Sequence, residues 1–140
     1  MGRILAIDPG EKRLGLALSD TEQLIATPFR VIPAEGLRRT VEAVKAIVME
    51  EEVAKIVIGM PIGLAGNRGP SAEKAAQLAE ALREATGLAV LEWDERLTTV
   101  GASRAMHEGG VDARKQRGKV DMIAATLILQ AYLEAGGGKG

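Results

Sequence analysis

The period of the hydrophobic positions changes several times along the chain. Arg3–Ile7 and Leu14–Ser19 are short apolar runs joined by DPGEKR, which predicts two strands and a tight connection. A third extended run, Thr27–Ile32, is flanked by Pro28 and Pro33 and belongs at a sheet edge, because proline cannot donate to a ladder. The period then lengthens. Leu37, Val41, Val44 and Val48 lie at steps of four, three and four, predicting an amphipathic helix from Gly36 to about Glu51. KIVIG, Lys55–Gly59, is a continuous apolar run before Met60-Pro61 and reads as a buried parallel strand. Pro70 opens a second helix, with Ala75, Leu78, Ala79 and Leu82 as its stripe and Gly87 near its end. Leu88–Trp93 predicts another buried strand, closing on Asp94 and Glu95. Thr98 or Thr99 caps a further helix to His107, broken by Gly109-Gly110. Asp112–Lys119 reads as a basic loop, and Val120, Ile123, Ala124, Leu127 and Ala131 mark the last helix.

The resulting order is β-β-β-α-β-α-β-α-α. An antiparallel meander followed by alternating helices and strands predicts an α/β mixed sheet covered by helices. One domain over residues 1–135 is expected, with a flexible glycine-rich tail at 136–140 that has nothing to bury. In such sheets, sites form at the carboxyl ends of strands. Asp8 and the Asp94-Glu95 pair stand at two of those ends, and Gly59-Met60-Pro61 completes a third.

Composition then narrows the chemistry. With no cysteine and one histidine, His107, thiolate sites, His-rich zinc sites and thiol nucleophiles are excluded. Neither a G-x-S-x-G elbow nor a G-x-x-x-x-G-K-[ST] loop is present. Carboxylates remain as the chemical groups. Aromatic residues are only 2%, so the core is aliphatic and few rings are available to stack on bases. A net charge of −1 carries no global signal for nucleic acid, yet Arg114, Lys115, Arg117 and Lys119 crowd one short segment against a single acid, Asp112. Lys12-Arg13 and Arg38-Arg39 are lesser clusters. No secretory signal or membrane-length apolar run is present, so a cytoplasmic protein is expected.

Asp8 is the first candidate group. A carboxylate at a strand end is a hard oxygen ligand suited to Mg²⁺ or Mn²⁺, with Gly10 relieving the turn behind it. The alternative is a plain hairpin turn in which Asp8 bonds backbone amides. Asp94 and Glu95 are either further ligands or a turn with one acid paired to Arg96. Asp121 is expected in the first turn of the last helix, where the helix dipole alone would favour an acid. It also shares a face with Ala125 and Ile128, which points to the packed side and calls for a partner.

Four segments taken in order, IDPGEKRLGLALSD, IVIGMP, DERLTT and KVDMIAA, resemble the signature blocks of the YqgF family over about residues 3–133. That family comprises RuvC-like proteins of ribonuclease H fold, regarded as nucleases that mature the precursor of 16S ribosomal RNA. The resemblance implies a three-strand antiparallel meander plus parallel strands, flanked by helices. It also implies metal-dependent hydrolysis of phosphodiester bonds at the 5′ end of the precursor. By position, the family's acids fall on Asp8, Glu95 and Asp121, which would converge on one or two Mg²⁺ or Mn²⁺ ions, about 4 Å apart if two bind. Lys12, Arg114, Lys115, Arg117 and Lys119 are the expected phosphate contacts, and ribosome-assembly factors the expected protein partners. Two departures stand out. Ile62-Gly63 replaces a segment that is often polar in relatives, and the strand ending at Gly59 offers no carboxylate, although many nucleases of this fold carry one there. The alternatives are an endonuclease for branched DNA, a binding module of the same fold without catalysis, and an ATP-binding domain of the actin and sugar-kinase type, which would need a second such domain. Oligomeric state is left open.

Overall fold

The computed structural model describes residues 2–61, 69–95 and 113–136, the side chains of 113–121 excepted. Among the described residues five strands form one sheet: β1 (Arg3–Pro9), β2 (Arg13–Ser19), β3 (Ala26–Pro33), β4 (Val53–Met60) and β5 (Ala89–Asp94). Their order is β3-β2-β1-β4-β5. β1, β2 and β3 are the antiparallel meander, β4 runs parallel to β1, and β5 parallel to β4. The helices are α1 (Leu37–Glu50), α2 (Pro70–Thr86) and α3 (Ala113–Glu134). The expected mixed α/β architecture is present.

Strand alternation divides the sheet into two faces. Leu5 and Ile7 of β1, Ile56, Ile58 and Met60 of β4, and Val90 of β5 pack with α1 and α2 through Val44, Ile47, Ala75, Leu78, Ala79 and Leu82. Ile4 and Ala6 of β1, Ala17 of β2 and Val57 of β4 turn the other way and meet Ala124, Ala125, Ile128, Leu129 and Tyr132 of α3. β3 is an edge strand, as its prolines require, with Pro28 opposite Ala17 beside a register shift. Among the described residues no helix is long and apolar enough to cross a membrane.

Three expectations are corrected. β5 is an edge strand rather than a buried one: Val90 alone in it is buried, and Leu91 keeps 39% of its surface exposed, because among the described residues no further strand covers that margin. α3 starts at Ala113, so Arg114, Lys115, Arg117 and Lys119 occupy its opening turns instead of a loop. Arg, Lys and Gln lose little rotamer freedom in a helix, and Gly118 within it costs only about 1 kcal/mol relative to alanine. Asp121 therefore lies in the third turn, out of range of the dipole attraction that fades within the first. The buried stripe of α3 keeps Ala124 from the expected set and otherwise turns to Ala125, Ile128, Leu129 and Tyr132, while Ile123, Leu127 and Ala131 are half-buried on its flank. The expected helix from Thr98 or Thr99 to His107, Ile62-Gly63, Arg96, Asp112 and the tail from 137 to 140 lie outside the described residues.

Candidate nuclease site

Asp8 is carried by β1 and is only 1% exposed. Alternation sets it on the α3 face with Ile4 and Ala6, and its backbone is held opposite Gly15 of β2. Its Oδ1 is buried and among the described residues accepts no hydrogen bond, although the residue as a whole is not without interactions. The turn behind it is closed by the backbone, with the Gly10 N–H donating to the Arg13 carbonyl at 2.9 Å. A Cβ at position 10 would sit 2.6 Å from that oxygen, so close approach, and no left-handed backbone, requires glycine here. Lys12 is exposed on the same turn, its carbonyl accepting the Ala34 N–H at 2.9 Å.

β1 and β4 are paired through Ile7 and Ile58, so Asp8 and Gly59 follow side by side at the carboxyl ends of the two central strands. Gly59 in turn pairs with Trp93 of β5. A Cβ built on Gly59 would lie 2.6 Å from Ile128 Cδ1, 3.1 Å from Glu95 Oε1 and 3.4 Å from Glu95 Cγ. The Glu95 carboxylate thus reaches from the end of β5 across β4, on the α3 side. Asp8 and Glu95 share one end and one face of the sheet. Asp94 does not join them: it pairs with Met60, and alternation aligns it with Val90 and Glu92 toward α2. On that side the Arg83 guanidinium donates to the Val90 carbonyl at 2.8 and 3.2 Å and lies 3.9 Å from the Glu92 carboxylate.

For Asp121 the backbone alone is described. It lies one turn before Ala125 and two before Ile128 on the face of α3 that packs against the sheet. The direction of α3 follows from two points of attachment. Tyr132 accepts a hydrogen bond from Lys55 Nζ at 3.1 Å toward the amino end of β4, whereas Ile128 meets Gly59 at its carboxyl end. Earlier turns of α3 therefore continue past the carboxyl ends, and Asp121 precedes Ile128 by about 10 Å of helix axis. Among the described residues, no three acids gather closely enough to hold a metal ion, the Asp121 side chain being outside that set.

The surroundings include residues that no motif singled out. Trp93 and Tyr132 meet edge to face, with centroids 5.8 Å apart and planes at 89°, and Lys55 lies 5.7 Å from the Tyr132 ring. Alternation along β5 would have aligned Trp93 with Glu95; its pairing with Gly59 needed the register. A groove of about 460 Å³ opens on the other side of the same sheet end, bounded by Pro9–Glu11, Ser71, Lys74 and Leu78, with Glu95 on its rim. Lys74 brings a cation there that spacing alone did not reveal.

The chain matches the family model described as RuvX: Holliday junction resolvase over residues 2–135. A protein of Clostridioides difficile strain 630, named as a pre-16S rRNA nuclease, is 41% identical over 133 residues, covering 95% of this chain and 94% of that protein. A Syntrophus aciditrophicus protein of the same name is 44% identical over 133 residues, covering 95% and 89%. Among solved structures, Thermus thermophilus RuvC in complex with a Holliday junction substrate has a TM-score of 0.62 at 19% identity, covering 97% of each chain. The fowlpox virus Holliday junction resolvase has a TM-score of 0.57 at 14% identity, covering 95% of this chain and 98% of that one. These two likenesses are of fold alone; the sequence matches carry the assignment, and the chain belongs to the RuvX/YqgF family.

Proposed function

We propose that this chain is a metal-dependent nuclease that hydrolyses phosphodiester bonds in the precursor of 16S ribosomal RNA. The observation that carries the reading is that Asp8, at the carboxyl end of β1, and Glu95, reaching over β4 from the end of β5, share one end of the sheet on the face covered by α3. The donors available there are carboxylate oxygens, which suit Mg²⁺ or Mn²⁺ rather than a thiolate-seeking metal. Burial of Asp8 in a rigid ladder, with Glu95 brought over the neighbouring strand, fits such an ion. Asp8 and Glu95 would hold it, with Asp121 entering from α3.

A divalent ion so bound makes water a stronger nucleophile and stabilises the charge that develops on the leaving oxygen. The chain's own groups do the rest. β1, paired on both sides, fixes the Asp8 carboxylate, so little reorganisation is needed when charge shifts. In the reaction the water oxygen bonds to phosphorus, the bond to the leaving oxygen breaks, and that oxygen departs with a proton. Lys12 on the adjacent turn, and Arg114, Lys115, Arg117 and Lys119 on the first turns of α3, neutralise flanking phosphates. With aromatics so scarce, recognition rests on backbone and RNA shape, and ribosome-assembly partners supply the remaining selectivity.

Branched DNA is the second reading, favoured by the family description and by the RuvC-like fold. Cleavage of a 16S precursor RNA and of a four-way DNA junction, each with and without Mg²⁺, separates the two. RNA cleavage that requires Mg²⁺ and is lost in Asp8→Asn is the expected result. Preferential junction cleavage would transfer the activity to DNA, and equal activity in Asp8→Asn would remove these acids from the chemistry.

A further inference from the structure

We propose that Gly59 is a positioning residue for Glu95: the missing side chain at the end of β4 makes the space in which the Glu95 carboxylate lies. The inference rests on the nuclease reading above for its functional consequence, but its geometric part stands on the fold alone. Position 59 belongs to the α3 face, between Asp8 on β1 and Trp93 on β5. Any L side chain there would start 3.1 Å from Glu95 Oε1 and 2.6 Å from Ile128 Cδ1.

Those two neighbours differ in kind. Ile128 is a fully buried core residue of α3, and its Cδ1 is the end of a side chain that a smaller residue can replace. The Glu95 oxygen belongs to the candidate site. A methyl group at 59 therefore makes two separable demands, one on packing and one on the carboxylate. Glycine also accounts for the absence of an acid on β4: an acid from β5 enters the place where a side chain of β4 would stand. The acid contributed at this level of the sheet comes from the neighbouring strand, and the bare backbone at 59 is its complement.

Gly59→Ala combined with Ile128→Val relieves the packing clash and leaves the close approach to Glu95. Three readouts then apply: the melting temperature, the ¹³Cδ resonance of Glu95 in metal-free protein (identified by its loss in Glu95→Gln), and Mn²⁺ binding by calorimetry. Ile128→Val alone is expected to keep the parental resonance and Mn²⁺ affinity. The double variant is expected to melt near Ile128→Val, to shift the Glu95 resonance, and to lose part of the Mn²⁺ affinity that Glu95→Gln loses, since the carboxylate has to give by only a few tenths of an ångström. Adding Gly59→Ala to Glu95→Gln with Ile128→Val should cost no further affinity, since both changes act through the same carboxylate.

A parental Glu95 resonance in the double variant would overturn the inference, whatever the metal does. A shifted resonance together with Mn²⁺ binding that is indifferent to Glu95→Gln would uphold the positioning and instead refute Glu95 as a ligand. Failure of Gly59 as a positioner and failure of the metal site are thus read separately.

Discussion

The two faces of the sheet are built from different stock. On the α1 and α2 side the strands present Leu5, Ile7, Leu14, Leu16, Ile56, Ile58 and Met60, a continuous layer of large aliphatic groups. On the α3 side the strands present Ile4, Ala6, Ala17, Val57 and Gly59, mostly small groups, faced by Ala124 and Ala125 beside Ile128 and Leu129. Large groups remove more apolar area from water, at about 25 cal/mol per Å², so the first face is the main source of stability. Small groups let a helix approach closely and leave room at its end for polar side chains. The second face is where Asp8 is buried and where Glu95 arrives. One sheet thus separates the work of holding the fold from the work of holding carboxylates.

That division can be broken at either face. Asp8→Asn is expected to lower cleavage about a thousandfold, a loss typical of removing one group that stabilises a transition state, while the fold is retained. Glu95→Gln should follow in the same direction, and Asp94→Asn should not, because Asp94 is on the opposite side. Single-turnover cleavage of the three variants checks this; an Asp94 effect equal to that of Glu95 would erase the distinction between the faces. Leu82→Ala, on the α2 side, should cost about 2–5 kcal/mol in urea unfolding yet keep the activity of each folded molecule. A variant that unfolds no more easily, or one that is stable but inactive, would show that stability and chemistry are not partitioned as described.

Arg114→Ala with Lys115→Ala tests the electrostatic arm of the second face. For every phosphate left without its cation, the dependence of log affinity on log salt should flatten by about 0.9 on duplex and about 0.7 on single strands, so about 1.4–1.8 for the pair. Unchanged slope would leave these cations as solvated helix surface.

The smallest effect lies away from both faces, in the β2–β3 turn. Asp20 accepts hydrogen bonds from the Leu24 and Ile25 amides at 2.8 Å, and from Glu22 at 3.3 Å. The bond from Ile25, then that from Leu24, holds its carboxyl below the ordinary value. A carboxyl lowered on folding contributes order above the ordinary carboxylate value near 4 and loses it as the pH falls through the lowered one. Exchange protection of the Leu24 and Ile25 amides should therefore fade on acidification below about 4. In Asp20→Asn it should be weaker at neutral pH and flat with pH. Since the turn is exposed, cleavage should not follow.

Much of the architecture was legible in local pattern. The change from short apolar runs to steps of three and four marks β1, β2, β4, α1 and α2, because strand and helix periods are properties of neighbouring residues. The prolines of β3 declared an edge, and the absence of cysteine with a single histidine left carboxylates as the chemical groups. The edge position of β5 was not legible, since Leu88–Trp93 reads the same whether or not another strand lies beyond it. Nor was the start of α3, where charged helix formers resemble a solvated loop.

The site divides along the same line. An acid at the end of β1 and acids at the end of β5 could be named from the chain alone, because a carboxylate that interrupts an apolar run is visible in one dimension. Asp94 and Glu95 are adjacent and equally charged, and only the fold sends them to opposite faces, Asp94 by its pairing in β5 and Glu95 by reaching over Gly59 from just beyond that strand. Gly59 looks like an ordinary glycine before Met60-Pro61, and its meaning resides in what a side chain there would strike. Close approach between residues far apart in the chain is decided by register and helix packing, which no local pattern contains.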